Sequence, residues 1–327
     1  MNILIPGGCG YIGSATARFL RDQGHEVVVL DNLSEGHRSA WDGPMVEMDL
    51  RDRAALGEFA QGQRFDGIIH FAARAYVGES VLQPVRYWAA NVIPLVHLCE
   101  VFPGLPFVFS STCATFGDPL TENLQEDHPQ NPVNPYGRTK LAAEAVLQDR
   151  STAGDGPFAA LRYFNAAGAD TDGAHGEDHR PETHLLPLAI EAALGRSETL
   201  TVFGDDWGTP DGTCIRDYIH VQDLARAHGL ALERLHSGGS SGAWNLGTGV
   251  GSSVKEVLTT VADAVGKAVP ISFGPRRAGD PARLVADPSR ARSELGWEVE
   301  FSTLADIVVT AVRWHQDHPQ GYGDRSA

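Results

Sequence analysis

The first half of the chain alternates two hydrophobic patterns. Short unbroken apolar runs, rich in β-branched residues, read as strands buried on both faces. Between them, apolar residues recur every three or four positions, as on one face of a helix. Residues 2–5 form the first run; Ile12, Ala15, Phe19 and Leu20 follow at helical spacing; Gly24 closes that helix; residues 26–30 form the second run. Such a β-α-β unit implies a parallel strand pair with a right-handed crossover. The alternation continues with a strand at 46–48, a helix at 52–61 and a strand at 67–71. A helical stretch over 85–102 follows, which Pro94 should bend or end. A strand at 107–110, a helix at 136–149 and a strand at Phe158–Tyr163 complete the series. The pattern predicts an α/β protein built on a doubly wound parallel sheet.

After about Gly168 the rhythm breaks. Residues 169–183 are loop-like, rich in Gly, Asp and His. Helices are expected near 185–194, 221–234 and Val254–Val265, with short strands between them. This reads as a second, smaller, mixed α/β lobe over the carboxyl edge of the sheet, where ligands of open α/β sheets bind. The expected division is residues 1–168 and residues 169–327, with a segment near 217–236 packing back on the first lobe.

Composition narrows the function. The 26 Lys+Arg and 42 Asp+Glu give a formal net charge of −16, which disfavours wide contact with nucleic acid or an anionic membrane. No stretch approaches the ~20 continuous apolar residues of a membrane span. At 327 residues, the chain exceeds the size at which one core usually gives way to two. The first residues lack the basic start and long apolar region of a signal peptide. Cys9, Cys99, Cys113 and Cys214 show no C-x-x-C pair, so they are expected as reduced, mostly buried thiols in a cytoplasm.

Two constellations carry chemistry. Gly7-Gly8-Cys9-Gly10-Tyr11-Ile12-Gly13 follows a strand and opens a helix. Glycines there let the backbone approach a pyrophosphate, and the helix amino terminus offers unpaired N–H groups. A glycine motif alone also serves an ordinary tight turn. Here Asp31 ends the second strand, where a carboxylate accepts from ribose hydroxyls and repels a 2′-phosphate, favouring NAD over NADP. Asp49-Leu50 ends the third strand and either borders the adenine or, through Asp49, caps a helix. The second constellation is Tyr136-Gly137-Arg138-Thr139-Lys140, which puts Tyr136 and Lys140 on one helical face. Such pairs are common on exposed helices, but Ser110-Ser111-Thr112 ends a buried strand upstream, where this architecture holds its active site. An ammonium beside the tyrosine, with a positively charged nicotinamide, favours the phenolate.

Gly7–Gly13, Asp31-Asn32, Ser110–Thr112 and Tyr136-x-x-x-Lys140 resemble an extended short-chain dehydrogenase/reductase. His70–Ser80, Leu161–Ala169, Gly176–Pro187, Gly212–Ala225, Trp244–Val257, Arg276–Asp287 and His318–Tyr322 resemble the UDP-glucose 4-epimerase family, so the likeness covers nearly the whole chain. It implies a Rossmann-type NAD domain and a nucleotide-sugar lobe. NAD would stay bound, with no net redox change and no metal. Tyr136 would take the C4 hydroxyl proton, Thr112 would hydrogen-bond O4, and Lys140 would also bind the nicotinamide ribose. By the same likeness, Phe71, Ala72, Ala73, Asn91, Ser110 and Tyr163 join Gly7, Gly10, Tyr11, Ile12, Gly13, Asp31, Asn32, Asp49 and Leu50 in holding NAD. Asn165, His184, Leu185, Arg216 and Arg277 would meet the sugar diphosphate and its surroundings. Asp280 would hold the uridine ribose, and Thr201, Val202 and Phe203 would flank the uracil. Leu284 falls at a gatekeeper position where a larger residue blocks N-acetyl sugars. Arg74 stands where some members have a lysine that reaches the cofactor phosphates, and His184 where some have asparagine. His70 reads as a strand-end residue, not a base.

The resemblance implies a homodimer paired through the helices near 85–102 and 136–149. Other readings remain: a nucleotide-sugar 4,6-dehydratase or decarboxylase, an epimerase of UDP-N-acetylhexosamines, a UDP-uronate or a UDP-pentose, or a non-catalytic NAD-binding sensor. Dehydratases and decarboxylases of this superfamily place an acid shortly after the strand-end Ser/Thr, whereas Cys113-Ala114-Thr115 follows here.

Overall fold

A computed structural model describes residues 1–277 and 279–324. The chain opens with β1 (Asn2–Pro6), α1 (Tyr11–Asp22), β2 (Glu26–Asp31), β3 (Met45–Glu47), α2 (Arg53–Ala60) and β4 (Gly67–His70). Then come α3 (Val77–Leu82), α4 (Pro84–Asn91), α5 (Ile93–Val101), β5 (Phe107–Thr112), α6 (Pro135–Thr152) and β6 (Phe158–Tyr163). The predicted 85–102 helix is two helices meeting at Val92, because Pro94 has no N–H to continue the ladder.

The second half contains β7 (Asn165–Ala167), α7 (Leu185–Ala193), β8 (Leu200–Phe203), β9 (Ile215–His220), α8 (Val221–His236) and β10 (Gly242–Leu246). It ends with β11 (Gly251–Ser253), α9 (Val254–Val265), β12 (Ile271–Gly274), β13 (Arg283–Leu284), α10 (Ser289–Leu295) and α11 (Leu304–Asp317).

Seven parallel strands form the main sheet in the order β10-β6-β5-β4-β1-β2-β3. Every residue of β5 and β6 is buried, as their unbroken apolar runs required. One face of the sheet packs on α1 and α8, through Leu20, Leu224, Ala227, Ala231 and Leu232. Gly229 lets these two helices cross closely: a Cβ there would lie 3.3 Å from both Leu20 and Phe19. The other face packs on α2, α5 and α6 through Leu56, Leu95, Leu98, Ala143 and Leu147.

The remaining strands make a small mixed sheet, with β9 between β11 and β13 and beside β7, and a separate β8–β12 pair. Their core gathers α7, α9 and α11 around Ile190, Val202, Val261, Ile307 and Val308. The chain returns to the main sheet more extensively than the expected 217–236 segment: β10 adds a full edge strand beside β6. Asn245 interrupts the apolar run of β10 and hides it from a pattern reading. It is fully buried, and its Nδ2 donates to the Leu124 carbonyl at 2.8 Å.

Candidate active site

The carboxyl edge of the main sheet opens onto two adjoining cavities of about 220 and about 480 Å³ that share Gly7, Gly10 and Phe71. The smaller one is walled by Asp31, Asn32, Asp49, Leu50, Ala72 and Ala73. Gly7 sits at φ +82°, and a Cβ there would lie 2.3 Å from the Ala72 nitrogen. A Cβ on Gly13 would lie 2.2 Å from the Gly7 carbonyl oxygen. Only glycine leaves this cradle open, and no side chain caps the first turn of α1. The loop therefore fits a bound diphosphate, with main-chain N–H groups as its donors.

Asp31 has a second task invisible in the sequence. The N–H of Cys9 donates to its Oδ2 at 2.9 Å and the N–H of Leu33 to its Oδ1 at 2.8 Å, so the carboxylate pins the glycine loop while facing the cavity. Asp49 does not cap α2; Asp52 does, accepting from the Ala55 N–H at 3.0 Å. Instead, Asp49 accepts from the N–H and the guanidinium of Arg51.

Ser110, Thr112, Tyr136, Lys140, Tyr163, Asn165, His184, Arg216, Asp280 and Leu284 all line the larger cavity with Tyr11, Ile12 and Gly13. Local chemistry places Tyr136. Asn134 caps α6 by accepting from the Gly137 N–H at 2.8 Å, with Pro135 in the first turn. A Cβ on Gly137 would lie 2.4 Å from the Ala114 carbonyl, so this glycine seats the helix start against the turn after β5. Tyr136 thereby lines the same cavity as Thr112. Thr112 also accepts from the Ala114 N–H at 3.1 Å, combining a cap with a cavity position.

Lys140 differs from its expected effect. Its Nζ donates to the Ser110 carbonyl at 2.6 Å and lies 6.0 Å from the Tyr136 ring centroid. Burial pulls it down to about 7, against the attraction of Glu144. Burial pushes Tyr136 up to about 12, and the relief comes from Thr112, not Lys140. The shared helical face is right, but the ammonium is turned toward the strand carbonyl.

Behind these residues lies a buried polar network that sequence reasoning missed. Arg162 and Glu144 pair through two parallel contacts, Nε to Oε1 at 3.0 Å and Nη2 to Oε2 at 2.7 Å, and the Ser111 hydroxyl also donates to Glu144. Its signal was an arginine inside an otherwise apolar strand and a glutamate four residues after Lys140. Asn91 is a support too: it donates to Thr139 at 3.0 Å and brackets the Arg74 main chain.

Some expected residues lie elsewhere among the described residues. Val202 is buried in the second core, and Thr201 points toward Ser272 on the paired strand. Phe203 lies under the Arg277 guanidinium at 4.0 Å. Thr201, Val202, Phe203, Arg277, Leu185 and Asn91 stand outside the walls of both cavities. Arg216 faces the larger cavity while its Nη1 donates to the Ile215 and Pro281 carbonyls. Arg74 is held by Glu35 at 3.0 Å and Glu79 at 2.9 Å. His70 is fully buried against Phe109 with neither ring nitrogen hydrogen-bonded, and burial holds it down to about 3, so it is no base at neutral pH.

A doubly wound sheet, a glycine cradle and a Thr–Tyr–Lys set on one cavity define a protein of the extended short-chain dehydrogenase/reductase class. Residues 3–247 match the NAD dependent epimerase/dehydratase family, and the chain belongs to it. It is 48% identical to the UDP-glucose 4-epimerase of Halalkalibacterium halodurans over 98% of both chains. It superimposes on the UDP-glucose 4-epimerase of Brucella ovis in complex with NAD with a TM-score of 0.91 at 50% identity, covering 95% of this chain and 97% of that one. The Bifidobacterium longum enzyme in complex with NAD+ and UDP gives a TM-score of 0.92 at 34% identity, covering 98% and 100%.

Proposed function

We propose that this protein inverts C4 of a UDP-hexose, interconverting UDP-glucose and UDP-galactose, with bound NAD that ends each turnover unchanged. The observation that carries this reading is the meeting of Thr112, Tyr136 and Lys140 on the cavity that also contains the start of α1. NAD, when bound, supplies a hydride acceptor that gives the hydride back. Its positive ring also offsets the burial that holds Tyr136 in the phenol form. Tyr136, as phenolate, takes the C4 hydroxyl proton while C4 loses hydride, leaving a 4-keto sugar. Thr112 hydrogen-bonds the same oxygen, and Lys140, anchored on the Ser110 carbonyl, lines the cavity on the same helical face. The keto sugar then presents its other face, Tyr136 returns the proton, and C4 is inverted.

The neutral Cys113-Ala114-Thr115 after Thr112 supports epimerisation over elimination of water. Residues 1–168, with α8 and β10, serve as the NAD lobe, and the rest binds the sugar nucleotide. The protein works as a homodimer: Val85, Trp88 and Ile93 are 78%, 42% and 42% exposed along α4 and α5, an apolar face on the 85–102 stretch expected to pair, and Leu82 at the end of α3, 82% exposed, extends it. Its place is the cytoplasm, in keeping with four free cysteines and no helix long and apolar enough to cross a membrane among the described residues.

The test is incubation with UDP-galactose without added reductant. UDP-glucose should accumulate at constant NADH, and Tyr136→Phe should abolish conversion while NAD remains bound. A 4-keto-6-deoxy product, or full activity of that variant, overturns the reading. UDP-N-acetylgalactosamine run in parallel reports what Leu284 admits.

A further inference from the structure

The loop leading into α7 carries Glu177, His179, Glu182 and His184, a Glu-x-His-x-x-Glu-x-His spacing that the proposed reaction leaves largely unused. One ligating atom from each lies within 4.8 Å of the other three. The imidazole Nδ1 of His184 lies 2.9 Å from both Glu177 Oε1 and Glu182 Oε1. The Nδ1 of His179 lies 3.1 Å from Glu177 Oε1 and 3.6 Å from Glu182 Oε2. A tetrahedral zinc ion with bonds of about 2.0–2.2 Å sets its ligand atoms roughly 3.3–3.5 Å apart. The four nitrogen–oxygen separations bracket that edge.

Hydrogen bonds account for part of the arrangement: Glu182 Oε1 accepts from the N–H groups of Thr183 and His184 at 2.6 and 2.7 Å and lies against the His184 imidazole. Each Nδ1 carries at most one proton yet faces two carboxylates. Nδ1 of His179 is buried and, although 3.1 Å from Glu177 Oε1, is not aligned for a hydrogen bond to it. The loop is also framed as a fixed ligand set would be. Trp314 Nε1 donates to the Glu177 carbonyl at 3.2 Å, His37 Nε2 contacts the Asp178 carbonyl at 2.9 Å, and the Tyr322 N–H donates to Asp178 at 3.0 Å.

We propose that Glu177, His179, Glu182 and His184 form a binding site for one divalent transition-metal ion, zinc above all. Two imidazoles with two carboxylates suit zinc or its neighbours in the first transition row better than magnesium or calcium, which want oxygen ligands. Glu177, His179 and His184 line the same cavity as Tyr136, so the ion would set the shape of part of its wall. Its role is to hold the loop, outside the hydride and proton steps.

The full chain with its NAD, stripped with EDTA and freed of the chelator, is titrated with zinc chloride by calorimetry and with cobalt chloride by visible absorbance. One ion per chain and the intense bands of four-coordinate cobalt are expected. His179→Asn with Glu182→Gln should weaken binding by at least about a hundredfold. Glu182→Gln alone, nearly isosteric, should weaken it less and keeps the comparison valid should the double variant fold poorly. No stoichiometric ion, a six-coordinate cobalt spectrum, or equal binding by Glu182→Gln and the parent would overturn the site and leave the cluster as two His–Glu pairs.

Discussion

Replacing Gly13 by alanine probes the cofactor cradle most directly. The added Cβ would lie 2.2 Å from the Gly7 carbonyl oxygen and 3.0 Å from both the Gly7 carbonyl carbon and the Gly8 Cα. Ordinary contact begins near 3.4 Å, so the first clash is short by about 1.2 Å. All three partners are main chain, so no side chain can swing away. Relief requires the start of α1 and the loop to separate by roughly 1 Å, and overpacking of this kind costs about 1–3 kcal/mol. A 1 Å displacement of binding groups costs about a hundredfold in function. NAD content of the purified variant, NAD affinity by calorimetry and the epimerisation rate read the outcome. Gly24→Ala is the control: φ is +83° but nothing lies within 4 Å of the new Cβ, so its strain of about 1 kcal/mol should leave NAD binding intact. NAD affinity in Gly13→Ala within about threefold of the parent would refute the argument that close main-chain approach holds the site open.

Further outcomes follow from the same geometry. Glu144→Ala leaves the Arg162 guanidinium buried with the Glu126 carbonyl and the Phe116 ring, and should lower stability by about 3–5 kcal/mol in urea unfolding; a loss below about 1 kcal/mol contradicts the network. Burial holds Lys140 at about 7 against its ordinary 10.5, so between those values the unfolded chain binds more protons and stability rises with pH. The difference in unfolding free energy between the parent and Lys140→Met should therefore shift in favour of the parent by on the order of a few kcal/mol from neutral to alkaline pH, and a flat difference would contradict a buried, proton-poor lysine. Leu82→Asp with Val85→Asp should convert a dimer into a folded monomer by light scattering; an unchanged mass would move the interface elsewhere.

The main sheet was legible because parallel strands covered on both sides leave unbroken apolar runs, and the loop after β1 carries Gly7 and Gly13, where a Cβ would strike main chain. The Thr112, Tyr136 and Lys140 set was legible for a related reason: strand end, helix start and i,i+4 spacing are local properties. The missed α11 carries its own local signals, a Thr303–Asp306 capping box and Ile307, Val308, Ala311 and Val312 on one face, which the mixed later pattern obscured.

Other features depend on how distant segments meet. Strand β10 reads poorly because Asn245 breaks its pattern, yet its buried Nδ2 finds a partner in the Leu124 carbonyl far earlier in the chain. The carboxylate of Asp217 is indistinguishable in sequence from a surface charge, but it gathers the N–H groups of Thr248, Gly249 and Ala286 and joins the later loops to β9. The tilt of Lys140 toward Ser110, the Glu144–Arg162 pair and the convergence of two histidines on two glutamates have the same origin. Hydrophobic period and turn chemistry report each residue's burial and backbone over a span of about one element. Which charges become neighbours, and hence which are held, freed or shifted, is set only when those elements close on one another.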